Sequence, residues 1–280
     1  MMRFETALGR LWRTAVWAFV VFFVLNVLAM ISTVVINSLG TRWLGTWLPA
    51  GWTLRWYMDA WHRFQLDDVL LVTFEIAGAV VVLSALIGVP AAYALARRNF
   101  PGKSIVLVLF LLPLLVPPIT FGVPLATVLY RAGLAGTMSG VIIANLVPTV
   151  PFTVVLMIPF IEQIDPRVEH AARVFGAGTG RLFTRILVPL LLPGIFAATL
   201  LSMVRTVSMF ELTFLTAGSS SQTLVVALYY SVFAAGVRPG QSIDAMAVIY
   251  MASTLIWLII ALRFVDPTQI VARAKRSRAD

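Results

Sequence analysis

Long apolar runs, separated by short polar segments, dominate this chain of 280 residues. A helix needs about 20 apolar residues to cross the hydrocarbon core of a bilayer. Six segments meet that requirement: Ala15–Ile36, Val69–Ala96, Ile105–Tyr130, Ser139–Ile161, Pro189–Thr216 and Ala245–Phe264. The pattern therefore predicts an all-α fold, a polytopic membrane protein with six transmembrane helices.

The first run is longer than the apolar region of a signal peptide, and no small-residue cleavage site follows it closely. We therefore expect a retained helix and one membrane domain over residues 1–280. Its parts are an N-terminal tail with the first span (1–36), an outer loop (37–68), five core spans (69–264) and a basic tail (265–280). The outer loop is rich in tryptophan, which favours the membrane–water interface, so we predict a short amphipathic helix on the outer face.

Arginine and lysine are distributed unevenly between alternate polar segments. If the N-terminus is cytoplasmic, the inner segments carry fifteen of the 21 basic residues, the outer segments five, and Arg205 lies in the fifth span. Because basic residues collect in cytoplasmic loops, both termini are predicted to be cytoplasmic. This asymmetry explains the net charge of +9 without a nucleic-acid partner.

Composition restricts the chemistry further. The chain is 60% hydrophobic and only 12% charged, about half the charge of a soluble domain. It has no cysteine, which excludes disulfides and thiolate metal sites, and only two histidines, His62 and His170. These histidines fall on opposite sides of the membrane in the predicted topology, so a membrane-embedded enzyme built on them is disfavoured. We predict no catalytic residue and no metal site.

The polar segment Glu162–Val188, between the fourth and fifth spans, carries the clearest local signals. Asp165 is a good N-cap and Pro166 suits the first position of a helix. A short helix is predicted to end at Gly176, because glycine commonly terminates helices. A second helix is predicted to begin near Gly180 and to continue into the fifth span.

This segment resembles the EAA loop of ABC importer permeases, whose pattern is Glu-Ala-Ala, three residues, Gly, nine residues, Ile, one residue and Leu-Pro. Five residues match at the family's spacing: Ala171, Ala172, Gly176, Ile186 and Pro189. The chain departs from the pattern at His170, which replaces the glutamate, and at Val188, which replaces the leucine. Glu169, one position earlier, is a candidate for supplying the acid.

The resemblance implies a cytoplasmic coupling helix that docks into a groove of a separate ATP-binding subunit. The implied coupling residues are Glu169, His170, Ala171, Ala172, Gly176, Ile186 and Pro189. The chain lacks a phosphate-binding loop of the Gly-x-x-x-x-Gly-Lys-Ser/Thr type, so ATP and magnesium would be bound by the partner. The family further implies a second permease subunit, identical or related, two ATP-binding subunits, an extracytoplasmic solute-binding protein and a bacterial inner-membrane location.

Polar residues within the spans are candidates for the solute pathway. Glu211 and Ser208 lie in the predicted fifth span, where the segment is similar to the acidic stretch of polyamine and ferric-iron permeases. Glu211 either faces the pathway and attracts a cation or pairs with Arg205 or a neighbouring subunit. Glu75 is either a pathway residue or an interfacial carboxylate, and Asn145 either lines the pathway or joins two helices.

The solute is therefore expected to be small and polar or cationic, such as a polyamine, an opine or ferric iron. Val-Phe-Gly before the glycine corner resembles the polyamine, iron and phosphonate branch of the family, so an organic anion such as a phosphonate is the alternative. A secondary transporter of another family is a further alternative. Such folds usually have more spans and buried acidic clusters, and the EAA-like loop argues against it.

Overall fold

The structure is a computed structural model that describes residues 2–233 and 239–264. Within these residues the chain is helical and has no strand. Its helices are α1 Met2–Leu39, α2 Arg55–Arg63, α3 Leu66–Arg97, α4 Lys103–Leu115, α5 Pro118–Arg131, α6 Met138–Glu162, α7 Pro166–Val174, α8 Thr179–Leu182, α9 Val188–Val207, α10 Glu211–Thr216, α11 Leu224–Phe233 and α12 Gly240–Phe264. The predicted basic tail, 265–280, and Arg238 of the outer charge count lie outside the described residues.

Among the residues that the structure describes, five helical segments are long and apolar enough to cross a membrane. They are Leu11–Leu39, Leu66–Arg97, Met138–Glu162, Thr179–Val207 and Gly240–Ile260. A sixth span is present if α4 and α5, which meet at an angle of 99°, are counted together. The prediction of an all-α polytopic membrane protein is confirmed.

The predicted third span, Ile105–Tyr130, is not one continuous helix. α4 ends at Leu115, and Val116 and Pro117 adopt extended backbone angles before α5 begins at Pro118. Each proline excludes the helical conformation from the residue before it, so two consecutive prolines remove two residues from the helix. The sharp bend follows from this pair.

The predicted fifth span, Pro189–Thr216, is also interrupted. α9 ends at Val207 and the six-residue α10 starts only at Glu211. No proline or glycine marks this break. Met209 and Leu212 are buried with Leu129 and Ala144, so the chain turns to bury these side chains against α5 and α6. Arg205 and Glu211 therefore lie on different helices, which corrects the expectation that one span carries both.

Backbone contacts divide the chain into two compact units, and the larger comprises Leu66–Tyr230 and Tyr250–Asp280. Its main core joins α3, α6 and α9 through buried side chains that include Leu95, Met157 and Leu191. α3 and α6 approach so closely at Gly88 that an added Cβ would lie 2.9 Å from Cγ2 of Thr153. Small residues permit such close helix packing within membranes.

The smaller unit comprises Met1–Gln65 and Ser231–Ile249. The most apolar 18-residue stretch of α1 has no buried side chain. The loop after α1 folds back, and the buried Trp56 donates its indole N–H to the carbonyl of Gly40 at 2.7 Å. The short amphipathic helix predicted in this loop is α2, in which Trp56 is buried whereas Trp61 is exposed.

Polar contacts hold α2 to the start of α12 within the same unit. The Asp59 carboxylate pairs with Arg63 at 3.0 Å and accepts a hydrogen bond from the Ser242 hydroxyl at 2.5 Å. Asn37, near the end of α1, donates its side-chain amide to Asp244. The hydrogen bonds that Asp59 accepts from Arg63 and Ser242 hold its pKa below its ordinary value.

Candidate functional site

The segment that follows α6 folds as its local signals predict. The Asp165 side chain caps α7 by accepting the backbone N–H of Arg167 at 2.9 Å, and Pro166 occupies the first turn. Gly176 adopts a φ of +81°, and the N–H of Ala177 donates to the carbonyl of Ala172 across the end of the helix. Such a left-handed residue after a helix is characteristic of a glycine terminus.

The chain then enters the membrane-spanning segment without a break. α8 begins at Thr179, a π-helical turn covers Phe183–Leu187, and α9 continues to Val207. Pro189 lacks an N–H and its ring would clash with the carbonyl four residues earlier in a regular helix. The wider π turn before it accommodates this ring. Ile186 is partly buried against the main core, and Pro189 is exposed.

α7 presents several apolar side chains to its surroundings. Val174 is 85% exposed and Phe175 is 89% exposed, and Val168 on the same short helix is 40% exposed. Ala171 is exposed as well, whereas Ala172 packs against the main core. Val168, Ala171, Ala172 and Phe175 follow one another at helical spacings of three and four, yet Val168, Ala171 and Phe175 lie outward whereas Ala172 lies inward.

Glu169 is the buried residue of α7, with only 6% of its surface exposed. Its Oε1 lies 2.8 Å from Nε of Arg97, and its Oε2 accepts a hydrogen bond from the Tyr93 hydroxyl at 2.5 Å. Arg97 also donates to the backbone carbonyl of Ile164, in the turn between α6 and α7. The last turns of α3 therefore hold both α7 and the turn that precedes it.

Glu169 and His170 consequently occupy different environments. His170 stands at the glutamate position of the family pattern and is exposed, whereas the carboxylate of Glu169 points inward to α3. No signal close to Glu169 in the sequence indicates this burial, because Tyr93 lies 76 residues before its partner. The only hint is the pair of basic residues at the end of the second span, Arg97 and Arg98.

The candidate pathway residues do not form one cluster. Asn145 is buried, and its side-chain amide donates to the carbonyl of Val141 at 2.9 Å and to the Thr213 hydroxyl at 3.1 Å. It thereby joins α6 to α10, which is the helix-joining alternative, and its place in a pathway stays a prediction. Glu75 is exposed on α3.

Ser208 and Glu211 lie at the break between α9 and α10. Ser208 is exposed and donates its hydroxyl to the Val204 carbonyl at 3.0 Å, whereas Glu211 is half-buried. An aromatic group covers this corner, with the rings of Phe210 and Phe214 stacked at 5.2 Å and Tyr229 at 5.0 Å from Phe210. No local pattern in the sequence indicates this aromatic group, because Tyr229 comes from α11.

Arg205 makes no ion pair within the part of the chain that the structure describes. Its guanidinium lies 4.9 Å from the centre of the Phe152 ring, and its buried Nε has no hydrogen-bond partner among these residues. The expected alternative, a pair with Glu211, is therefore not formed there. A cation over an aromatic face gains about 0.5–2 kcal/mol, less than a buried charge requires.

Comparison with known proteins identifies the family. Residues 84–271 match the family described as "Binding-protein-dependent transport system inner membrane component". The sulfoquinovosyl glycerol transport system permease protein SmoH of Agrobacterium fabrum is 34% identical over 160 residues, 57% of this chain and 56% of SmoH. This chain thus spans about half the length of that relative.

A second relative is matched over most of its length. The molybdenum transport system permease protein ModB of Escherichia coli K12 is 28% identical over 228 residues, 76% of this chain and 96% of ModB. A bacterial ABC transporter that imports the acidic polysaccharide alginate shares the fold, with a TM-score of 0.75 and 18% identity over 91% of this chain and 96% of that chain. The chain accordingly belongs to the family of binding-protein-dependent transport system inner membrane components, and is a multi-pass inner-membrane protein.

Proposed function

We propose that this chain is the permease subunit of an ATP-driven importer and that α7 docks into a groove of a separate ATP-binding subunit. The supporting observation is the exposure of Val174 and Phe175 at the end of a polar helix outside the long apolar spans. Large apolar side chains exposed together on a short amphipathic helix are typical of a helix-in-groove contact. Arg167 and Arg173, both exposed on the same helix, would surround this contact with positive charge.

The assembly we propose contains a second permease subunit, two ATP-binding subunits and an extracytoplasmic binding protein. The family description, which names a binding-protein-dependent system, supports the last of these. The unburied apolar stretch of α1 supports contact with lipid and with another membrane chain. ATP and magnesium would be bound by the ATP-binding subunits, and both termini of this chain would be cytoplasmic.

A continuous helical segment follows α7 and can transmit its motion into the membrane-spanning part of the chain. The segment Thr179–Val207 is helical throughout, so a displacement at its start is carried along 29 residues. Leu182 and Leu187, near that start, are buried in the same core as Val89 and Met157. In our proposal, ATP binding and hydrolysis move α7, and this core transmits the motion to the helices that enclose the solute.

Substitution of Phe175 tests the docking surface. Phe175→Asp places a charge in the proposed apolar contact, and we expect co-purification of the ATP-binding subunit to fall about tenfold or more. Leu44→Asp is the matched control, because Leu44 is also an exposed apolar residue, at 73%, but lies in the loop after α1. Equal loss in both variants, or no loss in Phe175→Asp, would contradict the proposal.

For the solute we propose an anionic or sugar-like molecule in place of a polyamine, an opine or ferric iron. The two relatives described above are named for sulfoquinovosyl glycerol and molybdenum transport. Arg205 supports an anionic solute, because it lies in a span without an acidic partner among the described residues. Glu211, on which the cationic solute rested, lies outside that helix.

Uptake of radiolabelled molybdate and of a sulfonated sugar by cells that express the complete importer tests this assignment. Arg205→Gln removes the charge, and we expect uptake of the transported anion to fall about tenfold, the effect of one charged hydrogen bond. Arg205→Lys keeps the charge and should retain most of the uptake. Uptake of putrescine with no anion transported would restore the cationic alternative.

A further inference from the structure

The contacts of Glu169 go beyond what docking of α7 requires. A docking helix needs an exposed apolar face, and α7 has one in Val174 and Phe175. Its one buried carboxylate instead points away from that face and meets two side chains of α3, Arg97 and Tyr93. The family pattern does not explain this, because its acidic position is occupied here by the exposed His170.

Both side chains of the ion pair between Arg97 and Glu169 are largely shielded from solvent. The Arg97 side chain is 14% exposed and that of Glu169 is 8% exposed. A buried ion pair adds little net stability, because the charges lose their hydration, but loss of one partner leaves the other charge buried and is strongly unfavourable. The ion pair therefore adds little to the free energy of folding, but it holds α3 and α7 in one arrangement.

Arg97 and Tyr93 also reach the segments on either side of α7. Arg97 donates to the Ile164 carbonyl just before the helix. The Tyr93 ring makes an edge-on contact with Phe183, at 5.9 Å between ring centres, in the turn that leads into α9. Two neighbouring turns of α3 thus contact the beginning, the middle and the end of the loop.

We propose that Arg97 and Tyr93 are positioning residues that clamp α7 to α3 through Glu169. This inference rests on the proposed coupling role of α7. The clamp makes α3 move with α7, so that displacement by the ATP-binding subunit reaches the second span directly as well as through α9. Without the clamp, α7 stays docked but moves independently of α3.

The absence of cysteine from the chain allows a direct test of the clamp. A nitroxide label on Val174→Cys in the full purified chain reports the motion of α7. We expect Arg97→Ala and Glu169→Gln to increase the mobile fraction of the label severalfold, and Tyr93→Phe to have a smaller effect. The exchange Arg97→Glu with Glu169→Arg should restore part of the order.

Arg98→Ala is the matched control, because Arg98 is adjacent and exposed. It should leave the label unchanged. An unchanged spectrum in Arg97→Ala and Glu169→Gln would overturn the clamp, and so would an equal increase in Arg98→Ala. This measurement needs no partner subunit, so its outcome does not depend on whether α7 binds an ATPase.

The consequence for transport is measured separately in the assembled importer, as solute taken up per ATP hydrolysed. We expect this ratio to fall about fivefold or more in Glu169→Gln, while the ATP-binding subunit still co-purifies. A mobile label with an unchanged ratio would show that the clamp is only structural. Failure of the wild-type chain to bind the ATP-binding subunit would instead refute the proposed function and leave the clamp intact.

Discussion

In the loop after α6, some residues determine the local backbone structure, and one residue makes contacts with a distant part of the chain. Asp165, Pro166 and Gly176 act on backbone groups within a few positions of themselves, so their roles could be predicted from the sequence. Glu169 acts on Arg97 and Tyr93, more than 70 positions away, and its burial could not be predicted. The boundaries of α7 can therefore be predicted from nearby residues, whereas the contact of Glu169 with α3 cannot.

Gly176 provides a residue-scale prediction. A Cβ there would meet no atom within 4 Å, but its φ of +81° is strained for any other residue. Gly176→Val should therefore cost about 1–2 kcal/mol locally and disturb the corner, which abolishes uptake while membrane insertion is retained. Uptake by intact cells, with membrane content measured by immunoblot, checks this result.

Gly178→Val is the control for this substitution. Gly178 also has open space around it, but its φ of −69° suits any residue. It should keep most of the uptake. If both variants transport normally, the corner does not take part in coupling.

Asp59 gives a prediction about pH. Its pKa is lowered in the folded chain by hydrogen bonds from Arg63 and Ser242, whereas an unfolded aspartate has a pKa of about 3.9. Its stabilising effect is therefore present above that value and is lost as the pH falls through the lower folded pKa. Asp59→Asn should lower the melting temperature at pH 7 and lower it by less at pH 2. A difference that persists unchanged at pH 2 would argue against this assignment.

The two predicted spans that are interrupted in this chain are interrupted for different reasons. The bend between α4 and α5 follows from Pro117 and Pro118, which are visible in the sequence, although the apolar run that contains them predicts a single span. The break before α10 follows from burial of Met209 and Leu212 in a cluster that involves other helices. Apolar runs thus indicate how much helix is present more reliably than where it is interrupted.

The contact of α3 with α6 gives a prediction at the scale of elements. Gly88→Leu would bring side-chain atoms within 2.9 Å of Thr153, whose hydroxyl also meets Ser84 and Ser202 at 3.3 Å each. Overpacking of this kind costs about 1–3 kcal/mol, so the purified variant should melt at a lower temperature.

Gly78→Leu is the control on the same helix, because a Cβ at Gly78 meets nothing within 4 Å. It removes a flexible glycine from a helix without crowding a neighbour, so it should be neutral or slightly stabilising. Equal melting temperatures for the two variants would mean that α3 and α6 are not closely packed at Gly88.

At the scale of the whole molecule, the chain forms membrane spans whose orientation rests on charge alone. The fifteen basic residues assigned to one side and the five assigned to the other predict cytoplasmic termini. The predicted topology places the tryptophan-rich loop and α7 on opposite sides of the membrane.

Labelling with a membrane-impermeant maleimide tests this topology, because the natural chain has no cysteine to react. Trp47→Cys, at a position 99% exposed in the loop, should react in intact spheroplasts. Val174→Cys on α7 should react only after the membrane is permeabilised. If Val174→Cys reacts in intact spheroplasts and Trp47→Cys does not, the topology is the inverse of the predicted one, and α7 does not face a cytoplasmic ATPase.

The sequence by itself determined the all-α membrane class, the positions of most spans, the capped and glycine-terminated α7 and, through the spacing of five residues, the family. These features depend on apolar length, on backbone groups close in sequence and on a short pattern, all of which are local. The tertiary structure decided that Glu169 faces inward to Arg97 and Tyr93 while His170 faces outward, that Asn145 joins α6 to α10, and that Arg205 and Glu211 lie on different helices. Each of these depends on which distant side chains meet when the helices pack, and the apolar pattern of one helix does not specify its neighbours.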